Sequence, residues 1–244
     1  MGLPMASLAR KRTFELVKVE RHTPTVAVFT LTPVKHEVIT FTPGMFVSLS
    51  FEHDGTKYGP KPYSVSSSPL VKDAIELTIR KEGFFTQAFF KLQEGAHVDI
   101  MGPYGKFVLN EPLPQDVCLL AAGTGIAPLM SMLRHIQDAD KKSRCTLIFS
   151  CKTQHDIIFE DELEHRAQKH DDFSYVQTLT QEPAESDWQG HRARINTRMV
   201  KEHVKNLKGA HFYICGPQGF VQSVQELLDE LNVPHEHVFF ERWG

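Results

Sequence analysis

The sequence predicts two domains, an antiparallel β-barrel over residues 10–112 and a doubly wound parallel α/β domain over residues 116–244. Three observations support this fold class. The 244 residues are enough for two domains that each bury a core. Strand-like runs fill the first half, whereas apolar runs alternate with helical patterns in the second. The segment NEPLPQD, residues 110–116, contains two prolines and is typical of a linker.

The first half contains six short runs that are rich in Val, Ile, Phe and Thr and are separated by Gly, Pro and Asp. In chain order they are TFELVKVE, TVAVFTLTP, MFVSLSF, YSVSS, AIELTIR and HVDIM. Strands of this length and spacing predict a small antiparallel barrel. One helix is expected within it, over TQAFFKL at residues 86–92.

The second half alternates apolar strands with helices. The predicted strands are VCLLAA, CTLIFSC, FSYVQTL, HFYICG and HVFF, and the helical patterns are PLMSMLRHI, EDELEHRAQKH, TRMVKEHVKNL and FVQSVQELLDEL. In the last helix the apolar side chains form a stripe of Phe220, Val224, Leu227, Leu228 and Leu231. Strands that alternate with helices of this length imply crossover connections and a parallel sheet.

The composition limits the classes of partner. A formal net charge of −3 provides no general field for nucleic acid, so we expect no nucleic-acid partner. No apolar run approaches the roughly 20 residues that a membrane-spanning helix needs, so no membrane span is expected either. We expect a cytoplasmic protein, although the N-terminal MGLPMASLARKR is also compatible with a short arm that targets an organelle interior.

The cysteines and histidines do not predict a metal site. Four cysteines stand singly, without the CxxC spacing of a zinc site or an iron–sulfur cluster. His235 and His237 share one face of a predicted strand, but no third ligand lies near them in the sequence, so solvated histidines are the better interpretation.

Two glycine turns follow predicted strands. Gly123 and Gly125 precede a helix that Pro128 is expected to open, and Gly216 follows Cys215 at the end of a later strand. The carboxyl ends of parallel strands are where α/β sheets bind ligands. Taken alone, however, the first turn lacks the third glycine of a dinucleotide fingerprint, and a tight connection explains it equally well.

Taken together, KPYSVSS, IRKEGFFT, GPYGKF, AAGTGIAP, YICGPQGF and FFERW resemble the ferredoxin–NADP reductase superfamily of flavin-dependent oxidoreductases. The six motifs extend in order from about residue 14 to residue 243. The resemblance implies a flavin-binding barrel and a nicotinamide-nucleotide domain, with flavin and nicotinamide meeting between them. It predicts FAD as cofactor, with FMN less expected, and NADPH or NADH as co-substrate. A stand-alone reductase without an iron–sulfur domain would pass electrons to a separate acceptor, such as a ferredoxin.

The resemblance also implies flavin-site residues. In the family's Arg-x-Tyr-Ser pattern the aromatic ring lies against the isoalloxazine, the serine hydrogen-bonds near its reactive nitrogen, and the arginine meets the pyrophosphate. Here these positions are Tyr63, Ser64 and Lys61, with Pro62 and Ile79 as further cofactor contacts. Lysine keeps the charge of arginine but loses its bidentate fork, so flavin affinity is in question.

The motif GFFT is similar to the family's second flavin motif. Gly83 and the amides of Phe85 and Thr86 would begin a short helix against the pyrophosphate. The alternative is that the phenylalanines of this segment only fill the core.

In the nucleotide domain the resemblance implies binding by the first glycine turn and by residues near the later strands. Thr124 would sit at the nicotinamide, Cys215 near the hydride-transfer point, and Trp243 over the flavin face. The predicted catalytic residues are Ser64, Cys215 and Glu241. The predicted nucleotide contacts are Gly123, Thr124, Gly125, Lys152, Arg194, Cys215, Gly216 and Trp243.

Lys152, with Arg192 and Arg194 on a later loop, favours NADPH slightly over NADH; the alternative is that these charges are only solvated. Two alternatives to the reductase remain: a non-catalytic electron-transfer subunit of a larger complex, and an enzyme that reduces free flavin as a substrate. The sequence does not specify the acceptor, the preferred nucleotide or the oligomeric state.

Overall fold

The computed structural model describes residues 10–243. Most of the N-terminal segment considered for organelle targeting, and Gly244, lie outside the described residues. The described chain divides into two compact units. The first comprises the chain up to Leu109 together with Met130–His135, and the second comprises Asn110–Leu129 together with the chain from Ile136 onward.

The first unit is built on six antiparallel strands. They are β1 (Arg10–Arg21), β2 (Val26–Pro33), β3 (Phe46–His53), β4 (Thr56–Ser64), β5 (Ile75–Arg80) and β6 (His97–Tyr104). Their order in the sheet is β4-β3-β6-β1-β2-β5. Val65, directly after β4, forms an antiparallel bridge with Leu77 of β5 and so joins the two edge strands. The predicted antiparallel barrel is therefore confirmed.

One helix, α1 (Gly83–Phe89), packs on the apolar core of this barrel. The Phe89 ring lies 4.7 Å from Phe29 and 5.2 Å from Phe51, centroid to centroid. These contacts hold the last residue of the helix on β2 and β3. In the first turn, Phe85 packs on Phe51 at 5.2 Å and on Tyr63 of β4 at 6.0 Å, so the start of the helix lies beside β3 and β4.

Two local predictions in the barrel were wrong. The helix was expected at residues 86–92 but begins at Gly83, because the Thr86 hydroxyl bonds both backbone groups of Glu82 and closes the first turn early. The strand expected at residues 63–67 instead runs from Thr56 to Ser64. The prolines of this segment argued against a strand in the sequence. They are tolerated because β4 is an edge strand of the six-stranded sheet.

The second unit is built on a five-stranded parallel sheet with three helices of its own in the described residues and both ends of a fourth, α2 (Ile126–Asp138), whose middle belongs to the first unit. Its strands are β7 (Asp116–Ala122), β8 (Arg144–Cys151), β9 (Phe173–Leu179), β10 (His211–Pro217) and β11 (Val238–Trp243). The helices are α2 (Ile126–Asp138), α3 (Glu160–Lys169), α4 (Thr197–His203) and α5 (Gln218–Glu230). The strand order β11-β10-β7-β8-β9 confirms the predicted doubly wound sheet.

The strand order reverses at β7, which has β8 on one side and β10 on the other. Such a switch point leaves a crevice at the carboxyl ends of the two central strands. The two glycine turns noted in the sequence follow β7 and lie within the end of β10. The fold therefore places both turns beside the crevice where α/β sheets bind ligands.

The helices of this unit begin and end close to the predicted positions, with two differences. Helix α2 begins at Ile126, directly after a 3-10 turn over Gly123–Gly125, so Pro128 is its third residue rather than its first. Proline is tolerated there because first-turn amides have no partner within a helix. Helix α4 ends at His203, four residues before the predicted end. No helix in the described part of the chain is both long and apolar enough to span a membrane.

Candidate functional site

Three side chains of β4 share the face that looks toward α1. Tyr58, Lys61 and Tyr63 are opposite Phe51, Leu49 and Val47 of β3, all of which point into the core. Directly opposed residues of an antiparallel pair project to the same side of the sheet. These three β4 side chains therefore line one surface, and a bulge in the pairing between Leu49 and Phe51 keeps them on it.

Tyr63 is held flat on this surface. Its ring stacks on Phe85 with centroids 6.0 Å apart and an angle of 26° between the planes. Burial raises the pKa of the Tyr63 phenol to about 12, which indicates a poorly hydrated environment. The ring is only half-buried, so part of it remains open to a planar ligand.

The polar groups next to Tyr63 are not used within the protein. The Ser64 hydroxyl and the Lys61 ammonium make no hydrogen bond or ion pair with any other described residue. Lys61 and Pro62 are exposed and Ser64 is half-buried. A hydroxyl and a cation beside a flat aromatic ring fit the polar edge and the phosphates of a flavin nucleotide.

The start of α1 provides further donors. Gly83 has a left-handed backbone with φ of 75°, and Glu82, at the N-cap, makes no side-chain cap hydrogen bond. The first-turn amides, including that of Phe85, are therefore free of a cap and suit an anion. The Thr86 hydroxyl is committed to Glu82, so Thr86 would contact a ligand through its amide only.

The side chain of Ile79 is enclosed in the barrel core. Of the predicted flavin contacts in the first unit, the structure brings Lys61, Tyr63 and Phe85 to one surface with the start of α1, while Ser64 is opposite Phe46 and projects to the other side of β4. Ile79 would have to contact a ligand through its backbone.

A buried hydrogen-bond network fixes the chain directly after Ser64, and the sequence did not reveal it. Arg134, whose side chain is only 12% exposed, donates to the Ser66 carbonyl at 2.9 Å and to the Glu76 carboxylate at 2.6 Å. The Ser131 hydroxyl donates to the Ser67 carbonyl at 2.7 Å. The only sequence signal was one arginine within an apolar helical pattern. The network anchors the segment that carries the flavin motif.

The ends of β7 and β10 approach each other closely in the second unit. A side chain at Gly125 would overlap the carbonyl oxygen of Cys215 and come within 2.7 Å of the Trp243 ring. A side chain at Gly216 would come within 2.6 Å of Phe220 and 3.1 Å of Ala122. Glycine is therefore required at both positions to let the two strand ends meet at the switch point.

The predicted catalytic groups of this unit differ in accessibility. The Thr124 hydroxyl makes no hydrogen bond with another described residue and is half-buried. Cys215 is fully buried, and this burial, with a smaller effect of Glu241, raises the pKa of its thiol well above the ordinary value. Cys215 and Glu241 are register partners on β10 and β11. A protonated thiol in this position is suited to packing rather than to nucleophilic attack.

The basic residues considered for nucleotide choice fall into two groups. Arg192 donates hydrogen bonds to the carbonyls of Pro183, Ser186 and Trp188, so its guanidinium is already bound within its own loop. The side chains of Lys152 and Arg194 have no such partner in the described chain. Lys152 directly follows β8, next to the switch point, and remains available for a ligand.

No cluster of three potential metal ligands occurs in the described residues. His235 is exposed and lies 3.6 Å from Asp229, while His237 contacts the carbonyl of Lys208. The expected placement of both histidines on one face of a strand was wrong, because His235–His237 forms a 3-10 turn before β11, and the half-buried His237 ring packs beside His211.

Comparison with known proteins identifies the family. Residues 13–109 match the oxidoreductase FAD-binding domain, and residues 119–226 match the oxidoreductase NAD-binding domain. Ferredoxin–NADP reductase B of Sorangium cellulosum is 30% identical over 237 residues, which cover 93% of this chain and 96% of the relative. The chain belongs to the ferredoxin–NADP reductase superfamily. The family, the fold class and the pairing of FAD-binding and NAD-binding domains are thereby confirmed.

A second relative and a solved structure extend the comparison. The glycine betaine monooxygenase reductase subunit of Pseudomonas aeruginosa is 30% identical over 230 residues. The match covers 91% of this chain but only 63% of that relative. The flavohem-like FAD/NAD-binding domain of nitric oxide dioxygenase from Vibrio cholerae superimposes with a TM-score of 0.85 at 20% identity. That match covers 96% of this chain and 98% of the Vibrio domain, and it supports the fold alone.

Proposed function

We propose that the protein is an NAD(P)H-dependent flavoprotein reductase that passes electrons through bound FAD to a separate acceptor, such as a ferredoxin or another redox protein. The observation that carries this proposal is the β4 surface. Within a domain that matches FAD-binding oxidoreductases, a half-open Tyr63 ring adjoins a hydroxyl and an ammonium that the protein does not use itself. The absence of a cysteine cluster for an iron–sulfur centre in this sequence, together with the family relationship, supports a reductase that works with a partner.

The barrel residues would bind and orient the flavin. Tyr63 offers an apolar face to the ring system, and the Ser64 hydroxyl donates or accepts one hydrogen bond at its polar edge. Lys61 and the first-turn amides of α1 would neutralise the pyrophosphate. Bound FAD supplies the chemistry that links a two-electron donor to one-electron acceptors. The protein contributes position and the exclusion of water.

The second unit would hold the nicotinamide nucleotide at the switch point. Gly125 and Gly216 allow the backbone of β7 and β10 to approach the nucleotide without side chains in the way. The Thr124 hydroxyl, which no described residue uses, would bond the nicotinamide, and the exposed Trp243 beside Gly125 would contact the nucleotide. Cys215 would act by packing as a neutral thiol, and Glu241 beside it would accept a hydrogen bond from the nucleotide.

We also propose a preference for NADPH, which rests on the free ammonium of Lys152 and the free guanidinium of Arg194. A 2′-phosphate gains charge-assisted hydrogen bonds from such groups, whereas a 2′-hydroxyl gains little. Lys152→Ala and Arg194→Ala should each lower kcat/KM for NADPH about tenfold, as expected for the loss of one such bond, and leave NADH nearly unchanged. Equal losses with both nucleotides would contradict the assignment. Lys201→Ala, an exposed change on α4, serves as the control.

The proposed activity is tested with purified, FAD-reconstituted protein and an artificial acceptor under steady-state conditions. NADPH or NADH oxidation that requires both the flavin and the acceptor supports a reductase. Oxidation that rises with added FMN or riboflavin, together with loss of flavin on gel filtration, identifies the free-flavin reductase instead. No nucleotide oxidation in any combination contradicts both.

A second candidate is an electron-transfer subunit whose turnover depends on a larger assembly. It is favoured by the reductase-subunit relative in Pseudomonas, of which this chain spans only 63%. Co-purification with one stoichiometric partner, and activity only in that complex, would support this function.

We propose the cytoplasm as the compartment, as the sequence analysis expects. All four cysteines are buried free thiols, which suits a reducing environment.

A further inference from the structure

We propose that His211 and His237 form an acid-sensitive latch, a contact that holds the start of β11 on β10 while both imidazoles are neutral and releases it when the protein is acidified. The two rings lie 4.9 Å apart, centroid to centroid. They are located at the amino ends of β10 and β11, whereas the proposed nucleotide site is at the carboxyl ends. The latch therefore adds a response to pH that the proposed reductase function does not require.

Strand β11 has few attachments to the rest of the second unit. Among the described strands it pairs only with β10, from Phe212 opposite Val238 to Pro217 opposite Trp243. None of its six residues is fully buried, and Phe240 is 43% exposed. Segments with little buried apolar surface open at a lower free energy than the core of a domain. The contacts at the start of β11 are therefore important for keeping the strand in place.

Both histidines contribute to those contacts. His237 Nδ1 lies 3.0 Å from the Lys208 carbonyl oxygen, so this nitrogen must carry a proton and donate the hydrogen bond. The bond ties the turn before β11 to the loop before β10. The His211 ring packs against His237 and, at 5.5 Å, against Phe239 of β11, which stacks on Tyr213 of β10 at 5.0 Å. Uncharged rings thus join the two strands along one face.

Protonation of His211 is unfavourable in this position. Its Nδ1 is buried and has no hydrogen-bond partner among the described residues. A neutral ring leaves one nitrogen unprotonated, whereas an imidazolium carries a proton on both. The charged ring would therefore bury an N–H donor without an acceptor and face a second imidazole. Burial, and after it His237, lower the pKa of His211 below its ordinary value.

The charged groups on the surrounding elements do not offset this charge. Asp116 on β7 precedes the register partner of His211, but its carboxylate is bound to Arg144 at 2.7 Å. The other charged or titratable side chains in the turn and its flanking segments are exposed, where water and salt screen them. They are Lys208, Asp229, His235 and Glu236.

The lowered pKa determines the direction of the pH response. Below the ordinary histidine pKa of about 6.5, the detached strand binds more protons than the attached one. The attachment of β11 is therefore complete above about pH 6.5 and is lost progressively as the pH falls toward the lowered pKa of His211. Detachment would displace Glu241 and Trp243, which lie beside Cys215 and Gly125 at the other end of β11. Acidification should therefore weaken nucleotide binding, and only this consequence rests on the proposed function.

Hydrogen–deuterium exchange of the whole protein tests the latch, at about pH 7.5 and about pH 5.5, on either side of the ordinary histidine pKa. After correction for the intrinsic exchange rates, the opening constant of residues 238–243 should rise about tenfold at the lower pH, the limit when only the detached strand takes up a proton. Strand β8, which is paired on both sides, is the internal reference.

Three changes identify the group that titrates. His211→Phe and His211→Gln remove it and should both abolish the rise. His237→Asn keeps a donor for the Lys208 carbonyl but lacks the second imidazole, so the rise should be smaller than in the wild-type protein. His235→Asn alters the exposed histidine of the same turn and is the matched control, which should keep the wild-type rise.

The outcomes separate the latch from the proposed function. An opening constant that differs less than twofold between the two pH values refutes the latch, and so does a full rise in both His211 variants. A full rise in His237→Asn would overturn the role of His237. If Kd for NADPH rises at the lower pH in the wild-type protein but not in His211→Phe, the consequence for nucleotide binding is supported. If β11 opens as expected but the protein binds no NADPH at either pH, the latch stands and the proposed function is refuted.

Discussion

Replacing Gly125 with alanine tests whether the ends of β7 and β10 must meet as closely as the fold indicates. The added Cβ would overlap the carbonyl oxygen of Cys215 and lie 2.7 Å from the Trp243 ring. The carbonyl belongs to a strand paired on both sides, so it cannot rotate away and the glycine turn itself must shift. Overpacking of this kind costs about 1–3 kcal/mol, and the shift would also displace Thr124 from the proposed nucleotide site.

Tryptophan fluorescence during urea unfolding measures this cost selectively, because Trp188 and Trp243 are the only tryptophans and both lie in the second unit. With a slope of about 1–3 kcal/mol per molar urea, the midpoint should fall by about 1 M. NADPH affinity should fall about tenfold or more, since displacement of Thr124 removes at least one hydrogen bond. Gly219→Ala is the matched control, because a side chain there meets no atom within 4 Å. An unchanged midpoint and unchanged NADPH affinity in Gly125→Ala would show that β7 and β10 need not meet this closely.

Arg134→Met should lower barrel stability by about 2–3 kcal/mol, since it leaves buried acceptors unpaired, whereas Arg198→Met at an exposed ion pair should leave circular-dichroism unfolding unchanged. Ser64→Ala should slow flavin reduction in stopped flow about tenfold while flavin Kd changes little, and a wild-type rate would contradict its role. Lys61→Ala should weaken FAD binding in calorimetry, and Lys61→Arg should strengthen it through a bidentate contact; identical affinities would exclude a pyrophosphate contact. Because burial raises the Tyr63 pKa from 10.0 to about 12, its phenol stabilises the fold fully below pH 10 and loses that contribution between about pH 10 and 12. In Tyr63→Phe the free energy of unfolding, measured in urea, should fall less between about pH 10 and 12 than in the wild-type protein. An equal fall in both proteins would contradict the burial of the Tyr63 phenol.

Much of the fold was predictable because its elements depend on local periodicity. The stripe of Val224, Leu227 and Leu228 is the buried face of α5, as its spacing requires. The strands of the second unit were found within one or two residues, except β11, where only the first half was recognised. Fully buried parallel strands have continuous apolar sequences, and this pattern made the strands of the second unit easy to recognise.

The parts that escaped prediction depend on contacts distant in sequence. Pro60 and Pro62 disguised β4, and only its edge position makes them acceptable there. Arg134 acts on Ser66, 68 residues away in the chain, so no local pattern could assign it. The sequence does not distinguish Arg192 from Arg194 as candidate phosphate ligands. The structure does, because the Arg192 guanidinium already donates hydrogen bonds to carbonyls of its own loop.

The most direct test of the central claim is the visible absorption spectrum of the FAD-reconstituted protein, titrated without oxygen first with NADH and then with NADPH. A flavoprotein reductase should show a flavin spectrum that stays with the protein on gel filtration and is bleached by one equivalent of nucleotide, with NADPH acting faster. A protein that retains no flavin, or whose bound flavin neither nucleotide bleaches, would contradict it.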